Sequence, residues 1–201
     1  MKLIQTVYKM TGRRTVLTGL MAIAAAGFIA CSQQDAKDQE TNLSAQQAWD
    51  TVAKEGRGFT AGSMMTANTV FVMFDPQCPH CGHLWQQSIP LQAKVKFVWI
   101  PVAFINAKSA PQGAALLTAA NPAEAMTAHE ASILDGTGGT AASSSIPDDI
   151  NAAIAHNTAL FNRMGADSVP HIIAKNQTTG QIVTHTGALD TDALRQLLGM
   201  D

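Results

Sequence analysis

After its opening threonine, the run TVFVMF from Thr69 to Phe74 has no polar position before Asp75-Pro76 ends it. That is the pattern of a strand covered on both faces, since a strand with one wet side alternates. A second apolar run, VKFVWIPVAFI from Val95 to Ile105, contains Pro101, which has no N–H to give a ladder and so ends or bulges the strand. Elsewhere the spacing is helical. LSAQQAWDTVAKEG sets Ala48, Trp49, Val52 and Ala53 on one face, with Ser44 as a cap and Gly56 as a stop. APQGAALLTAA and NPAEAMTAHEASIL carry proline near their starts. IPDDINAAIAHNTALFNRMG has Pro147 ahead of two acids and Gly165 after an arginine, which punctuates a helix at both ends. DGTGGTAASSS reads as a flexible link within this helical stretch. VPHIIAK and QIVTHTG, separated by NQTTG, predict a β-hairpin, and DTDALRQLLG a capped final helix. The expected order is helix, strand, helix, strand, several helices, hairpin, helix: an α/β chain.

The 201 residues suffice for one domain of ordinary size. A net charge of -2 with 14% charged residues lacks the basic excess that nucleic-acid binding requires, so no nucleic-acid partner is expected. The N-terminus is more informative. Lys2, Lys9, Arg13 and Arg14 precede an uncharged run from Thr15 to Ala30, the layout of an export signal over residues 1–30. Arg13 and Arg14 also fit a twin-arginine signal. FIAC, with Ala30 before Cys31, resembles the lipobox of bacterial lipoproteins, which implies a lipid on Cys31 and a membrane tether. Lipidation would also account for the odd thiol among three cysteines. Residues 31–43 are polar and fit a flexible tether, leaving 44–201 as the folded domain.

The chemistry concentrates in VMFDPQCPHCGHLW, Val72 to Trp85. Cys78 follows a buried strand and stands where a helix begins, so unpaired backbone N–H groups and the positive end of the helix dipole favour its thiolate. In such sites the thiol falls from roughly 8.5 to about 3.5–7.5. His80 can add a positive charge or a hydrogen bond. The expected picture is an anionic sulfur in an open position, with Cys81, one turn into the helix, shielded as the resolving thiol. A purely structural disulfide of this span closes too short a loop to stabilise much. A metal site using Cys78, His80, Cys81 and His83 has suitable donors for zinc or copper, but four residues so close on one helix start cannot all face one ion without distorting the turn.

The succession of strand, FDPQCPHC, helix, strand, helical stretch, SVP, hairpin and final helix resembles the Dsb thiol:disulfide oxidoreductases, over about residues 66–200. DPQCPHCGHLWQQSIP and SAPQGAALLTAANPAEAMTAHE are most similar to the catalytic domain of the DsbG and DsbC branch. The resemblance implies a thioredoxin fold with a helical insertion at about 107–165, between the second strand and the hairpin. It implies a cis Pro170 packed against the redox cysteines, and contacts from Val169 to a substrate backbone. CPHC, and valine before the proline, look like the oxidising DsbA branch. The expected function is therefore dithiol exchange tilted toward oxidation, with isomerase or reductase activity also open, and with no cofactor or metal. The partners would be cysteine-containing exported proteins and a membrane redox protein that resets the pair, and the location the periplasm. The alternative is a copper or zinc chaperone built on the Cys/His cluster.

Other residues read more plainly. Asp75 is either a carboxylate that manages the Cys81 proton or a turn former before Pro76. His171, immediately after Pro170, is a candidate to approach the thiolate, although the next residue of a strand points away from its neighbour. Trp85 is a core residue. His129, His156 and His185 are expected at the surface, and Met64 and Met65 as core or loop filling.

Overall fold

The computed structural model describes residues 43–142 and 145–200. The leader, Cys31 and the tether up to residue 42 lie outside the described residues. The apolar run Thr69–Phe74 forms β2, buried from Val70 onward. Its neighbours explain why: Lys96–Pro101 (β3) runs parallel on one side, with Val72 opposite Trp99, and His171–Lys175 (β4) runs antiparallel on the other, with Val72 opposite Ile172. A central strand has no wet face, so the unbroken hydrophobic pattern follows from its place. Ile182–Thr186 (β5) pairs antiparallel with β4 as the expected hairpin. A short strand the pattern did not predict, Phe59–Gly62 (β1), pairs antiparallel with β3 and completes a five-stranded sheet in the order β1-β3-β2-β4-β5.

Side-chain caps set the starts of three of the described helices. Ser44 closes a capping box with Gln47 at the start of Ala45–Glu55 (α1). Pro79–Ser88 (α2) follows β2 directly. Between β3 and β4 lie Ser109–Thr118 (α3), Pro122–Leu134 (α4) and Asp148–Arg163 (α5), the region of the expected insertion, which begins after β3 as the third strand rather than the second. Thr191–Leu198 (α6) is capped by Asp190 and ends at Gly199, whose φ of 63° is left-handed and suits glycine. Among the described residues no helix is long and apolar enough to cross a membrane.

The core joins sheet to helices around Trp99, which meets Phe74 edge-on at 5.5 Å and Trp85 of α2 at 5.2 Å. Trp85 is thus core, as expected. α2 buries Cys81, Gly82, Leu84, Trp85 and Ser88, one helical face, and packs chiefly against α4, with α6 on another side. Met64 and Met65 differ from expectation: they sit on a turn between β1 and β2, exposed at 66% and 96%, and fill no core.

Candidate active site

The turn between β2 and α2 is built by Asp75. Its Oδ1 accepts from Gln77 N at 2.8 Å, and its carbonyl accepts from Cys78 N at 3.0 Å. Pro79 takes the first helical position, where a missing N–H costs nothing, and leaves Cys78 as the N-cap with no side chain capping the helix end. The first-turn N–H groups of His80 and Cys81 face the Cys78 sulfur, that of Cys81 shared with the Cys78 carbonyl.

Cys78 and Cys81 are free thiols, and the two sulfurs differ sharply. Cys78 is lowered from 9.0 to about 7, first by a hydrogen bond from the Cys81 thiol and then by the backbone N–H groups of Cys81 and His80, against the opposing effects of burial and of Asp75. Cys81 is raised well above 9.0, first by burial and then by its bond to Cys78. The expectation of an open sulfur is corrected, for Cys78 is only 4% exposed. It lies under the start of the helix, with Sγ 3.5 Å from the carbonyl oxygen of Val169. His80 contributes through its backbone; its ring is exposed and stands 6.4 Å from that of His83.

The Val169–Pro170 peptide is cis, and Pro170 immediately precedes β4. His171 turns away from the thiols: Nδ1 bonds Thr186 Oγ1 at 2.8 Å and the ring meets Phe161. Burial pushes its pKa down. With His80 and His83 outside and Cys81 inside, the four candidate metal donors do not converge, and among the described residues no group of three or more His, Cys, Asp or Glu side chains is placed to hold a metal ion.

Asp75 acts as a clamp on the turn. Besides Gln77 N, its carboxylate accepts from Ser109 Oγ at 2.7 Å, Phe104 N at 2.7 Å and Ile105 N at 2.8 Å. This holds the segment after β3 beside the turn, with Phe104 47% and Ile105 45% exposed. Behind the turn, His129 of α4 is fully buried, which corrects the surface assignment. Thr140 N donates to its Nδ1 at 3.2 Å, so Nε2 carries the proton and donates to Pro76 O at 2.7 Å. Burial lowers its pKa, in keeping with a neutral ring. Gln77 reaches Gln112 and Gly138 O, and Gln112 reaches Gly138 O and Thr140 O, so the glycine-rich loop is laced to the back of the site. Space as well as bonding matters at this loop: a Cβ on Gly139, at φ 86°, would stand 2.5 Å from the His129 ring.

Sequence reasoning also missed Glu130. Its carboxyl is 1% exposed, and among the described residues neither oxygen has a hydrogen-bond partner. It lies against Gly82, the residue after Cys81, so closely that a Cβ there would stand 2.8 Å from Oε2. Burial, then the charges of Cys78 and Asp75, push its pKa from 4.5 to about 9. The signal available was HEAS at helical spacing with Met126 and Ile133, a polar pair on an apolar stripe.

No family model matches the chain. The chain is 29% identical over 157 residues to the thiol:disulfide interchange protein DsbG of Pseudomonas aeruginosa, an overlap of 77% of this chain and 60% of that protein. The chain thus matches less than two thirds of that relative's length. The catalytic domain of Proteus mirabilis ScsC superposes with a TM-score of 0.59 at 17% identity, over 77% of this chain and 96% of that one. A periplasmic thioredoxin-like protein from Salmonella enterica serovar Typhimurium does so with a TM-score of 0.57 at 15% identity, over 76% and 94%. Those two superpositions show the thioredoxin-like fold. In sequence the chain is thus similar to Dsb-type thiol:disulfide interchange proteins, and in fold to thioredoxin-like ones.

Proposed function

We propose that the chain is a periplasmic oxidoreductase that exchanges disulfides with exported proteins through Cys78 and Cys81 and favours oxidation of its clients. The observation that carries this is the inequality of the two sulfurs, one lowered to about 7 at a helix N-cap and its neighbour kept protonated by burial. A low-pKa thiolate is a good leaving group, which makes the disulfide it forms easier to reduce and more oxidising toward others.

In the forward direction a client thiolate attacks Cys78 Sγ of the oxidised pair. The Cys78–Cys81 bond breaks, and Cys81 leaves with the electron pair and takes a proton. A second client thiolate then attacks the mixed disulfide, and Cys78 departs as thiolate. The client is oxidised and the pair reduced, so a membrane redox partner must remove the two electrons. Val169 and Pro170 would hold the client backbone extended beside Cys78, where the Val169 carbonyl already stands, and exposed Phe104 and Ile105 would meet its apolar side chains. His80 would assist through its N–H. No cofactor enters this chemistry.

In this reading residues 44–201 are the working domain, the helices at about 107–165 are an insertion in the thioredoxin fold, and residues 1–30 and 31–43 are leader and tether with a lipid on Cys31. Periplasmic location is supported by the export-like N-terminus and by the description of the Salmonella structure as periplasmic. The test is oxidation of a reduced model protein by the full-length chain, with Cys78→Ser and Cys81→Ser beside it. Loss of turnover in both, with a mixed disulfide accumulating in Cys81→Ser, supports the reading. Undiminished activity without Cys78, or no exchange together with stoichiometric copper or zinc retention, overturns it.

A further inference from the structure

An acid buried with neither oxygen bonded is costly, and folded proteins keep few such groups without a reason. Glu130 is one, and its position is specific. It projects from α4 into the seam with α2, and Gly82 leaves the space that a larger residue would fill. α4 packs chiefly against α2, α3 and β1, and neither α3 nor β1 carries a titratable side chain. From α2 the buried titratable group is Cys81, while His80 and His83 are exposed. The preceding turn brings Cys78 and Asp75, both of which act electrostatically on Glu130, as Glu130 does on Cys81. On α4 itself, His129 is turned to Pro76 and Glu124 is at the surface. The carboxyl therefore faces sulfur and negative charge and no cation.

Resting on the exchange chemistry proposed above, we propose that Glu130 is the proton partner of Cys81, giving its proton to the Cys81 sulfur when the Cys78–Cys81 bond opens and taking it back when that bond closes. On opening, the attacking thiolate forms its bond to Cys78 and the Cys78–Cys81 electron pair passes to Cys81. The Glu130 O–H proton moves to that sulfur, so no buried thiolate is released. When the second client thiolate later expels Cys78 as a thiolate, that new charge draws a replacement proton from solvent onto the carboxylate. On closing, the carboxylate takes the Cys81 proton as its sulfur attacks Cys78 and expels the client thiolate. The acid is neutral when a leaving sulfur needs a proton, because burial, first of all, and the Asp75 charge hold it so.

The test is the reduction potential of the pair, read from its equilibrium with glutathione after the protons of the glutathione thiols are accounted for, in the full-length protein and in Glu130→Gln, across the pH range from about 7 to about 9. Above about 7 Cys78 stays ionised in the reduced protein, so reduction takes up the one proton of Cys81. That uptake changes the constant of the pair's own half-reaction about tenfold per pH unit, or ~30 mV. Glu130 adds part of a second proton, so the wild-type dependence is steeper than tenfold, and Glu130→Gln falls back to it. Opening of the disulfide by a small thiol also slows about a hundredfold or more in the variant, the range of a lost general acid. Equal pH slopes with similar opening rates overturn the proposal while leaving the exchange reading intact. Failure of the wild-type pair to form any reversible disulfide overturns both. Should Glu130→Gln not fold, carboxyl carbon NMR of wild type decides: the Glu130 midpoint stands higher in the reduced than in the oxidised protein, and equal midpoints refute the idea.

Discussion

Cys81→Ala removes the interaction that does most to lower Cys78, and its effect can be sized. Cys78 lies at about 7 against an ordinary 9.0, a shift of two units. At about 1.4 kcal/mol per unit, this is about 3 kcal/mol in favour of the thiolate. The Cys81 thiol hydrogen bond stands first among its causes, ahead of the N–H groups of Cys81 and His80. Burial opposes them and stays in the variant, as do the N–H groups and the helix end. We therefore expect Cys78 to climb by at least about one unit, so that its ionised fraction at pH 7 drops from about half to about a tenth or less. Cys81→Ser, which keeps an O–H donor, should lie between alanine and wild type. The assay is thiolate absorbance against pH on the reduced full-length protein, with alkylation rate as a second measure. For an acid depressed in the folded state, the stabilisation is present above the unfolded value of 9.0 and is lost as pH falls through about 7. Reduced wild type should therefore gain stability relative to Cys81→Ala as pH rises through that window. A Cys78 midpoint still near 7 in Cys81→Ala would refute the reasoning and assign the shift to the backbone and the helix end.

Asp75→Asn weakens acceptance from Phe104 N, Ile105 N, Gln77 N and Ser109 Oγ, and should cost about 3–5 kcal/mol in urea unfolding. Because the Asp75 charge raises Cys78, the same change should lower the Cys78 midpoint, and a rise would contradict the account. Gly82→Ala gains about 1 kcal/mol of helix propensity but drives a methyl to 2.8 Å from Glu130 Oε2 and 3.1 Å from Leu134 Cγ. We expect a net loss of about 1–2 kcal/mol, and an increased urea midpoint would show that α2 and α4 part without cost. Burial raises Glu130 from 4.5 to about 9, so its contribution to stability is complete below 4.5 and is lost as pH climbs toward 9. Relative to Glu130→Gln, reduced wild type should lose stability by up to about 1.4 kcal/mol per pH unit across that range, and parallel curves for the two proteins would refute the assignment.

Much of this architecture was legible because local rules and tertiary placement agree. β2 reads as a two-sided strand and is one; Ser44, Asn121 and Asp190 cap the helices they precede. Asp75-Pro76 and Pro79 bracket Cys78 so tightly that its N-cap position could be read without coordinates. β1 escaped because Phe59–Gly62 has only four residues, too few for a period to emerge, and owes its strand form to pairing with β3. His129 and Glu130 escaped for a different reason. Polar residues on an alanine-rich helix read as its wet side, and only the packing of α4 on α2 turns this pair inward. The expected openness of Cys78 failed because an N-cap position sets which N–H groups a sulfur meets, and says nothing about what the distant Val169 segment places over it.

The contrast between the two thiols arises from three positions of advance along one chain. At the N-cap, Cys78 meets the first-turn N–H groups of His80 and Cys81. By Cys81 the helix has begun to close on itself: its own N–H donates to the Cys78 carbonyl, and its side chain points into the seam with α4. Local geometry thus lowers the first sulfur, while burial in the seam with α4 keeps the second protonated. The helical stretch between β3 and β4 does something else. From it come Ser109, which bonds the clamp, Gln112 and His129, which hold the turn from behind, and Glu130, which faces the buried thiol. The turn supplies the nucleophile, and the helices between β3 and β4 govern how rigidly it is held and how its partner's proton is handled. Substitutions in those helices should therefore alter the pH dependence and rate of exchange while leaving the order of the two thiol pKa values unchanged.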